Sequence, residues 1–240
     1  MTDYQPPLRD IAFTLDTFCD VDAIAGLPPF GHADRATVDA LVAEAGRFMS
    51  EVVAPTNRGG DEVGSRLVDG AVVTPPGFAE AYARYVEAGW GGVAFDPEYG
   101  GGGFPWLVGI VLQELMTSAN MSFSMCPLLT QGAIDMLSHH GSTEQLQRYL
   151  AKMISGEWTG TMCLTEPDAG SDVGALRTRA ERADDGTYRI TGTKIFISWG
   201  AHDMAENVVH LVLARTPDAP PGTKGISCFI VPTVLVGEDG

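Results

Sequence analysis

Trp158-Thr159-Gly160-Thr161-Met162-Cys163-Leu164-Thr165-Glu166-Pro167-Asp168-Ala169-Gly170-Ser171-Asp172 is the stretch in which the hydrophobic period of the chain changes. Before it, apolar residues recur at helical spacing. Val38, Leu41, Val42, Ala45, Phe48, Met49, Val52 and Val53 fall at i, i+3, i+4, i+7 and onward, one stripe of an amphipathic helix. Pro55 is expected to end that helix, because it lacks an N–H and clashes with the preceding turn. A second helix is expected from about Pro76, with Phe78, Tyr82, Tyr85 and Val86 facing inward and Gly89 closing it. Residues 106–118 and 121–138 are apolar nearly all round, as expected of helices in the middle of a bundle. Ser142-Thr143-Glu144-Gln145 has capping-box spacing, and Leu146, Tyr149, Leu150, Met153 and Ile154 follow at bundle spacing.

Downstream, short β-prone runs alternate with turn residues: 159–164, 177–182, 188–191, 195–198, 208–214 and 226–231. Asp185-Gly186 and Thr191-Gly192 are turn dipeptides. Helices first and strands afterwards predict an α+β chain, an amino-terminal all-α bundle followed by a small, incomplete β-barrel or sandwich. The expected divisions are residues 1–34 as an amino-terminal extension, 35–157 as the helical domain and 158–240 as a truncated β domain. Nothing packs after the last apolar run at Val236-Gly237-Glu238-Asp239-Gly240, so a further part of the protein is expected beyond it.

Composition narrows the function classes. The 240 residues are 45% hydrophobic and 19% charged, enough for a real core. A formal net charge of -16 disfavours nucleic acid and anionic membranes as partners. The opening Met1-Thr2-Asp3-Tyr4-Gln5-Pro6-Pro7 has no basic stretch leading into an apolar run, so a secretory signal is not expected. No stretch is long and apolar enough to span a bilayer. Cys19, Cys126, Cys163 and Cys228 have no CxxC or zinc spacing, which predicts reduced thiols, no metal site and a cytoplasmic location.

Two segments could carry chemistry. In 163–172 a strand runs into a tight polar loop, where Pro167 fixes one turn dihedral and Gly170 permits a left-handed one. Such a loop can aim successive N–H groups and the Thr165 and Ser171 hydroxyls at one anion, although the same residues also make ordinary turns. In Thr191-Gly192-Thr193-Lys194-Ile195-Phe196-Ile197-Ser198-Trp199-Gly200, Phe196 and Trp199 could flank a planar ligand whose edge meets the Ser198 hydroxyl. A plain hairpin with an aromatic in its core also accounts for that run. His139-His140 reads as a helix C-terminal charge complement. The glycines at 100–103, after Asp96-Pro97-Glu98-Tyr99, lack the strand-to-helix context of a dinucleotide fingerprint. His202-Asp203 has no serine partner in a hydrolase motif.

Together, Leu164-Thr165-Glu166-Pro167 with Ala169-Gly170-Ser171-Asp172, and Gly192, Lys194, Ile197 and Ser198 after them, resemble the two flavin-binding segments of the acyl-CoA dehydrogenases. The 96–101 loop, the 141–150 helix start and the α-then-β order resemble that family as well, over roughly residues 35–236. Pro7-Leu8-Arg9-Asp10, Gly200-Ala201-His202-Asp203-Met204 and Gly222-Thr223-Lys224-Gly225-Ile226-Ser227 look like its long bacterial branch of broad-range fatty acyl-CoA and methylmercaptopropionyl-CoA dehydrogenases.

The resemblance implies FAD as cofactor. It implies Leu164 and Thr165 at the isoalloxazine, Gly170 and Ser171 at the pyrophosphate, Phe196 and Ile197 over the ring's far face, and Ser198 near N5. Phe196, Ser198 and Trp199 stand where the family more often has Trp, Thr and Asn. The resemblance also implies an acyl-CoA substrate, an electron-transferring flavoprotein as acceptor and a homo-oligomer. The family's catalytic Glu lies in a carboxy-terminal helical domain that this chain is expected to lack, so no catalytic residue is assigned and the 240 residues alone are expected to be inactive. Two other outcomes stay open: a flavin monooxygenase or nitroalkane oxidase of the same fold, and an inactive truncated interaction module.

Overall fold

The structure, a computed structural model, describes residues 4–237 and 240. The readings that touch Met1, Thr2, Asp3, Glu238 and Asp239 lie outside the described residues. The first half is helical: α1 (Leu8–Phe18), α2 (Val21–Ala25), α3 (Arg35–Phe48), α4 (Ala54–Val63), α5 (Phe78–Glu87), α6 (Trp106–Ala119), α7 (Met121–His140) and α8 (Thr143–Ser155). The α3 stripe buries Val38, Val42, Ala45 and Phe48 in one core with Leu112, Leu115 and Phe123. Residues read as an extension join that core through Ile11, Leu15, Val21 and Ala33. At the start of α8 the Ser142 hydroxyl accepts from Gln145 N–H while the Gln145 side chain accepts from Ser142 N–H, as the capping-box spacing implies.

Three local expectations are corrected here. Pro55 does not stop the helix. Met49–Val53 forms a π-helical turn in which Ala54 N–H reaches back to the Met49 carbonyl, and α4 resumes with Pro55 in its first turn. A first-turn proline has no intrahelical N–H to lose, so the wide turn absorbs the break. Next, the helical half contains a hairpin, β1 (Arg66–Val68) against β2 (Ala71–Val73), around Asp69-Gly70. Both turn residues have positive φ, 50° and 83°, the geometry an Asp-Gly hairpin favours. Finally, α6 and α7 are not covered all round: Trp106, Ile110 and Met121 are each more than half exposed. No helix among the described residues is long and apolar enough to cross a membrane.

Strands begin at Trp158. β3 (Trp158–Cys163) pairs parallel with β6 (Asn207–Ala214), which pairs antiparallel with β7 (Ser227–Pro232). β4 (Arg179–Arg182) and β5 (Tyr188–Thr191) form a separate hairpin, linked to the larger sheet by a bridge between Arg179 and Arg215. The expected strand at 195–198 is a loop instead. Ile195 donates its N–H to the Thr165 carbonyl at 2.9 Å, outside any ladder, and Phe196 and Trp199 have φ of 57° and 54°.

The two halves share a second core. Ala133, Ile134 and Leu137 of α7 and Tyr149, Leu150, Met153 and Ile154 of α8 pack on Trp158, Val209 and Leu211 of the sheet. The halves approach tightly at Gly160, whose N–H donates to Thr130 Oγ1 at 3.0 Å. A Cβ there would lie 2.6 Å from Ala133 Cβ and 2.8 Å from Met153 Cε. Gly160→Val should therefore overpack the junction and lower stability by about 1–3 kcal/mol, read as a lower midpoint in urea at unchanged slope.

Candidate functional site

Both segments singled out in the sequence lie at the carboxyl end of β3, and a buried ion pair joins them. Glu166 and Lys194 have side-chain exposures of only 7% and 11%, and Lys194 Nζ donates to Glu166 Oε1 at 2.8 Å. Lys194 Nζ also donates to the Leu164 carbonyl at 2.9 Å. The Glu166 carboxylate accepts further hydrogen bonds from Arg177 N–H at 2.6 Å, Thr178 N–H at 3.0 Å and the Thr178 hydroxyl at 2.5 Å. Burial pushes the Glu166 pKa up, but Lys194, the Thr178 hydroxyl and the two backbone donors outweigh it, and the value falls to about 2. A carboxylate held that low is a weak proton acceptor at neutral pH. Glu114, within the apolar run of α6, is exposed.

The pair sets Leu164 and Thr165 directly beside Lys194 and Ile195, and the Ile195 N–H bond to Thr165 O completes the tie. Gly192 makes that approach possible, because a Cβ on it would come within 2.3 Å of Thr178 Oγ1. Beyond Glu166 the loop closes on itself, with Glu166 N–H donating to Ala169 O and Ala169 N–H to Glu166 O. Gly170 and Ser171 then lie exposed. Gly170 does not adopt the left-handed conformation expected of it. The space beside it is open, since a Cβ there would meet nothing within 4 Å.

These residues fit a flavin nucleotide. Among the described residues, the Gly170 and Ser171 N–H groups and the Thr165, Ser171 and Ser198 hydroxyls have no partner within the chain. They are unspent donors, and Phe196, the residue after Ile195, is an aromatic ring left 89% exposed. Arg177, beside the loop, is bound to Asp168 at 3.3 Å on the surface. Phosphate recognition here would rest on neutral N–H and O–H dipoles.

One contributor was missed from sequence. Arg215 donates to the Leu176, Gly174 and Pro220 carbonyls at 3.0, 2.6 and 3.1 Å, bracing the loop that follows Ser171. Its side chain serves backbone groups, and no spacing rule flags that. Trp199, which departs from the family pattern and was expected to flank a planar ligand with Phe196, instead docks on the helical bundle. Its Nε1–H donates to Ser122 O at 3.0 Å and its ring stacks on Phe78 with centroids 6.1 Å apart. Asparagine tolerates positive φ well, whereas Trp199 bears an αL cost of about 1–2 kcal/mol that the docked indole offsets. His202 takes no part in a triad. Met204 N–H donates to its Nδ1 at 3.1 Å, so Nε2 carries the proton toward Thr159 Oγ1 at 3.0 Å. Burial holds His202 below the ordinary histidine pKa. Asp203 turns away to accept from Thr74 N–H and the Thr74 hydroxyl.

The acyl-CoA dehydrogenase N-terminal domain model matches residues 36–157, and the acyl-CoA dehydrogenase middle domain model matches residues 161–238. The chain belongs to the acyl-CoA dehydrogenase family. It is 49% identical over 237 residues to a 3-methylmercaptopropionyl-CoA dehydrogenase of Ruegeria pomeroyi, covering 99% of this chain and 40% of that protein. It is 36% identical over 249 residues to a broad-specificity linear acyl-CoA dehydrogenase of Mycobacterium tuberculosis, covering 100% of this chain and 40% of that one. Both lie in the branch that the sequence resembles. A glutaryl-CoA dehydrogenase from Mycobacterium smegmatis, solved in complex with FADH2, superimposes with a TM-score of 0.67 over 96% of this chain and 50% of that one. At 22% identity, that likeness shows the fold. The chain spans about 40% of the length of these two curated relatives.

The low Glu166 pKa carries a stability consequence. The group is depressed from 4.5 to about 2, so its contribution is complete above pH 4.5 and is lost as pH falls toward 2. Over that window the loss amounts to about 3 kcal/mol, visible as a falling thermal midpoint between pH 5 and 2. Glu166→Gln should flatten this pH dependence and lower stability at pH 7 by about 3–5 kcal/mol, because the Lys194 ammonium is left buried without its counter-charge.

Proposed function

We propose that this chain is the flavin-holding portion of an FAD-dependent acyl-CoA dehydrogenase acting on fatty or related acyl-CoA thioesters. The observation that carries the reading is the locked pair of segments. Glu166 and Lys194 set them side by side while the donors on Gly170, Ser171, Thr165 and Ser198 remain unspent.

Dehydrogenation across Cα–Cβ removes an α-proton and a β-hydride, and FAD supplies the hydride acceptor. In this reading Gly170 and Ser171 hold the pyrophosphate, and Leu164 and Thr165 meet the pyrimidine side of the ring. Phe196 and Ile197 cover the far face, and Ser198 donates near N5. No residue of the chain is assigned as the base that takes the α-proton: Glu166 is fully engaged and Glu114 sits on an exposed helix face. In this reading the base belongs to the larger protein, and the 240 residues alone are expected not to turn over acyl-CoA. In that protein the substrate is an acyl-CoA, the acceptor an electron-transferring flavoprotein, the assembly a homo-oligomer and the location cytoplasmic. The similarity to acyl-CoA dehydrogenases of Ruegeria pomeroyi and Mycobacterium tuberculosis supports this reading.

The test is a visible spectrum of the full-length gene product before and after anaerobic addition of a medium-chain acyl-CoA. Flavin bands that bleach are expected; bands that persist across acyl-CoAs of several lengths would sink the dehydrogenase reading. Gly170→Val gives a sharper check on the site. Open space around Gly170 means that the thermal midpoint should stay near that of the wild type. FAD affinity, followed by flavin fluorescence, should fall by about tenfold or more, as a side chain fills the space a pyrophosphate needs.

A further inference from the structure

Phe196 and Trp199 are two of the three non-glycine residues with positive φ among the described residues, and they bracket Ile197 and Ser198. Strain gathered within four residues persists only where the surroundings over-determine it. The surroundings here are fixed at both ends. On one side Lys194 is bound to Glu166 and Leu164, and Ile195 to Thr165. On the other side the Trp199 indole donates to Ser122 at the start of α7, stacks on Phe78 and meets the His202 ring edge-on at 5.6 Å. Beyond it His202 is tied to Thr159 and Asp203 to Thr74. Gly200 N–H closes the turn onto Ile197 O at 3.2 Å. Between these ends Phe196 and Ser198 have no partner within the described residues and face solvent.

From this we infer that Trp199 is a positioning residue, whose docking on α7 and Phe78 sets where Ser198 is presented to the flavin. The inference rests on the flavin reading above and deepens it. Trp199 is not placed to touch the reacting atoms through its indole, which is turned into the helical bundle. It acts by holding the strained turn closed, so the segment is ordered before any ligand arrives. A helical residue thereby controls a loop of the β half: the Ser122 carbonyl at the start of α7 fixes the register of Ser198 through a side chain one position away from it.

Two measurements on the same chain test this. Trp199→Phe keeps a ring against Phe78 and removes the donor to Ser122. Without FAD, amide exchange across 195–203 should rise in this variant while exchange in β3 and β6 stays at the wild-type level. In the second measurement, FAD dissociation constants are determined by flavin fluorescence for wild type, Trp199→Phe, Ser198→Ala and the double variant. Each single change should weaken FAD about tenfold, and the double should be no weaker than the worse single, because a displaced Ser198 has nothing left to lose. Additive losses, or wild-type exchange rates in Trp199→Phe, would overturn the assignment. A loop that loosens in Trp199→Phe while even the wild type takes up no FAD would support the anchoring and sink the flavin reading instead.

Discussion

The Glu166–Lys194 ion pair is the constraint on which the site depends. Two segments nearly thirty residues apart in sequence must lie side by side at the end of β3, and neither belongs to the other's hydrogen-bond ladder. Burying two charges is costly unless every remaining donor and acceptor is matched. Here the matching comes from the backbone at Arg177 and Thr178, the Thr178 hydroxyl and the Leu164 carbonyl. Each of those groups is fixed in turn. Thr178 N–H and O–H point at the carboxylate while Thr178 O accepts from Arg215 N–H, so the pair is wired into the sheet through Arg215. A hydrophobic contact of the same size would hold the segments together but would leave their register free. The charged pair, with its fixed set of partners, specifies one arrangement.

The helical half positions the same site from the opposite side. The β domain does not merely follow the bundle in sequence, because Trp158, Val209 and Leu211 finish a core begun by α7 and α8. Polar ties cross the same boundary: Thr130 to Gly160, Trp199 to Ser122, and Asp203 to Thr74. Asn120, which caps α7 through Phe123 N–H and binds Thr56 of α4, fixes the end of the helix that receives the Trp199 indole. A displacement of α7 would therefore be felt at Ser198, although no residue of α7 is part of the candidate flavin surface.

What could be read from sequence follows from how local each signal is. The α3 stripe, the Ser142 cap and the hydrophobic runs of β6 and β7 are set by neighbours within a few residues, so pattern alone found them. Pro55 was misread because the rule that proline ends a helix assumes a regular α-helical register, and a π turn shifts that register by one residue. The 195–198 run has strand composition, yet its direction is decided by Lys194 and Trp199, whose partners are 28 and 77 residues away. The hairpin at 66–73 did have a local signal in Asp69-Gly70, but its strands are exposed and lack apolar alternation. The candidate site residues were named from two segments together. Their juxtaposition was not legible, because it depends on the long-range pairing of Glu166 with Lys194.

An acidic chain that holds an anionic cofactor poses an electrostatic problem, and the local structure shows how it is met. With a net charge of -16 the global field opposes a dinucleotide. Recruiting cations to the loop would be one solution, but Lys194 is committed to Glu166, and Arg177 both pairs with Asp168 and lends its backbone N–H to Glu166. What remains at the loop tip is a row of neutral donors. Dipoles of that kind act only at contact distance, so they add nothing to long-range attraction but lose little to salt. Their strength depends on being aimed correctly. That requirement explains why the chain places a buried ion pair, a strained turn and a docked indole around residues that carry no charge themselves.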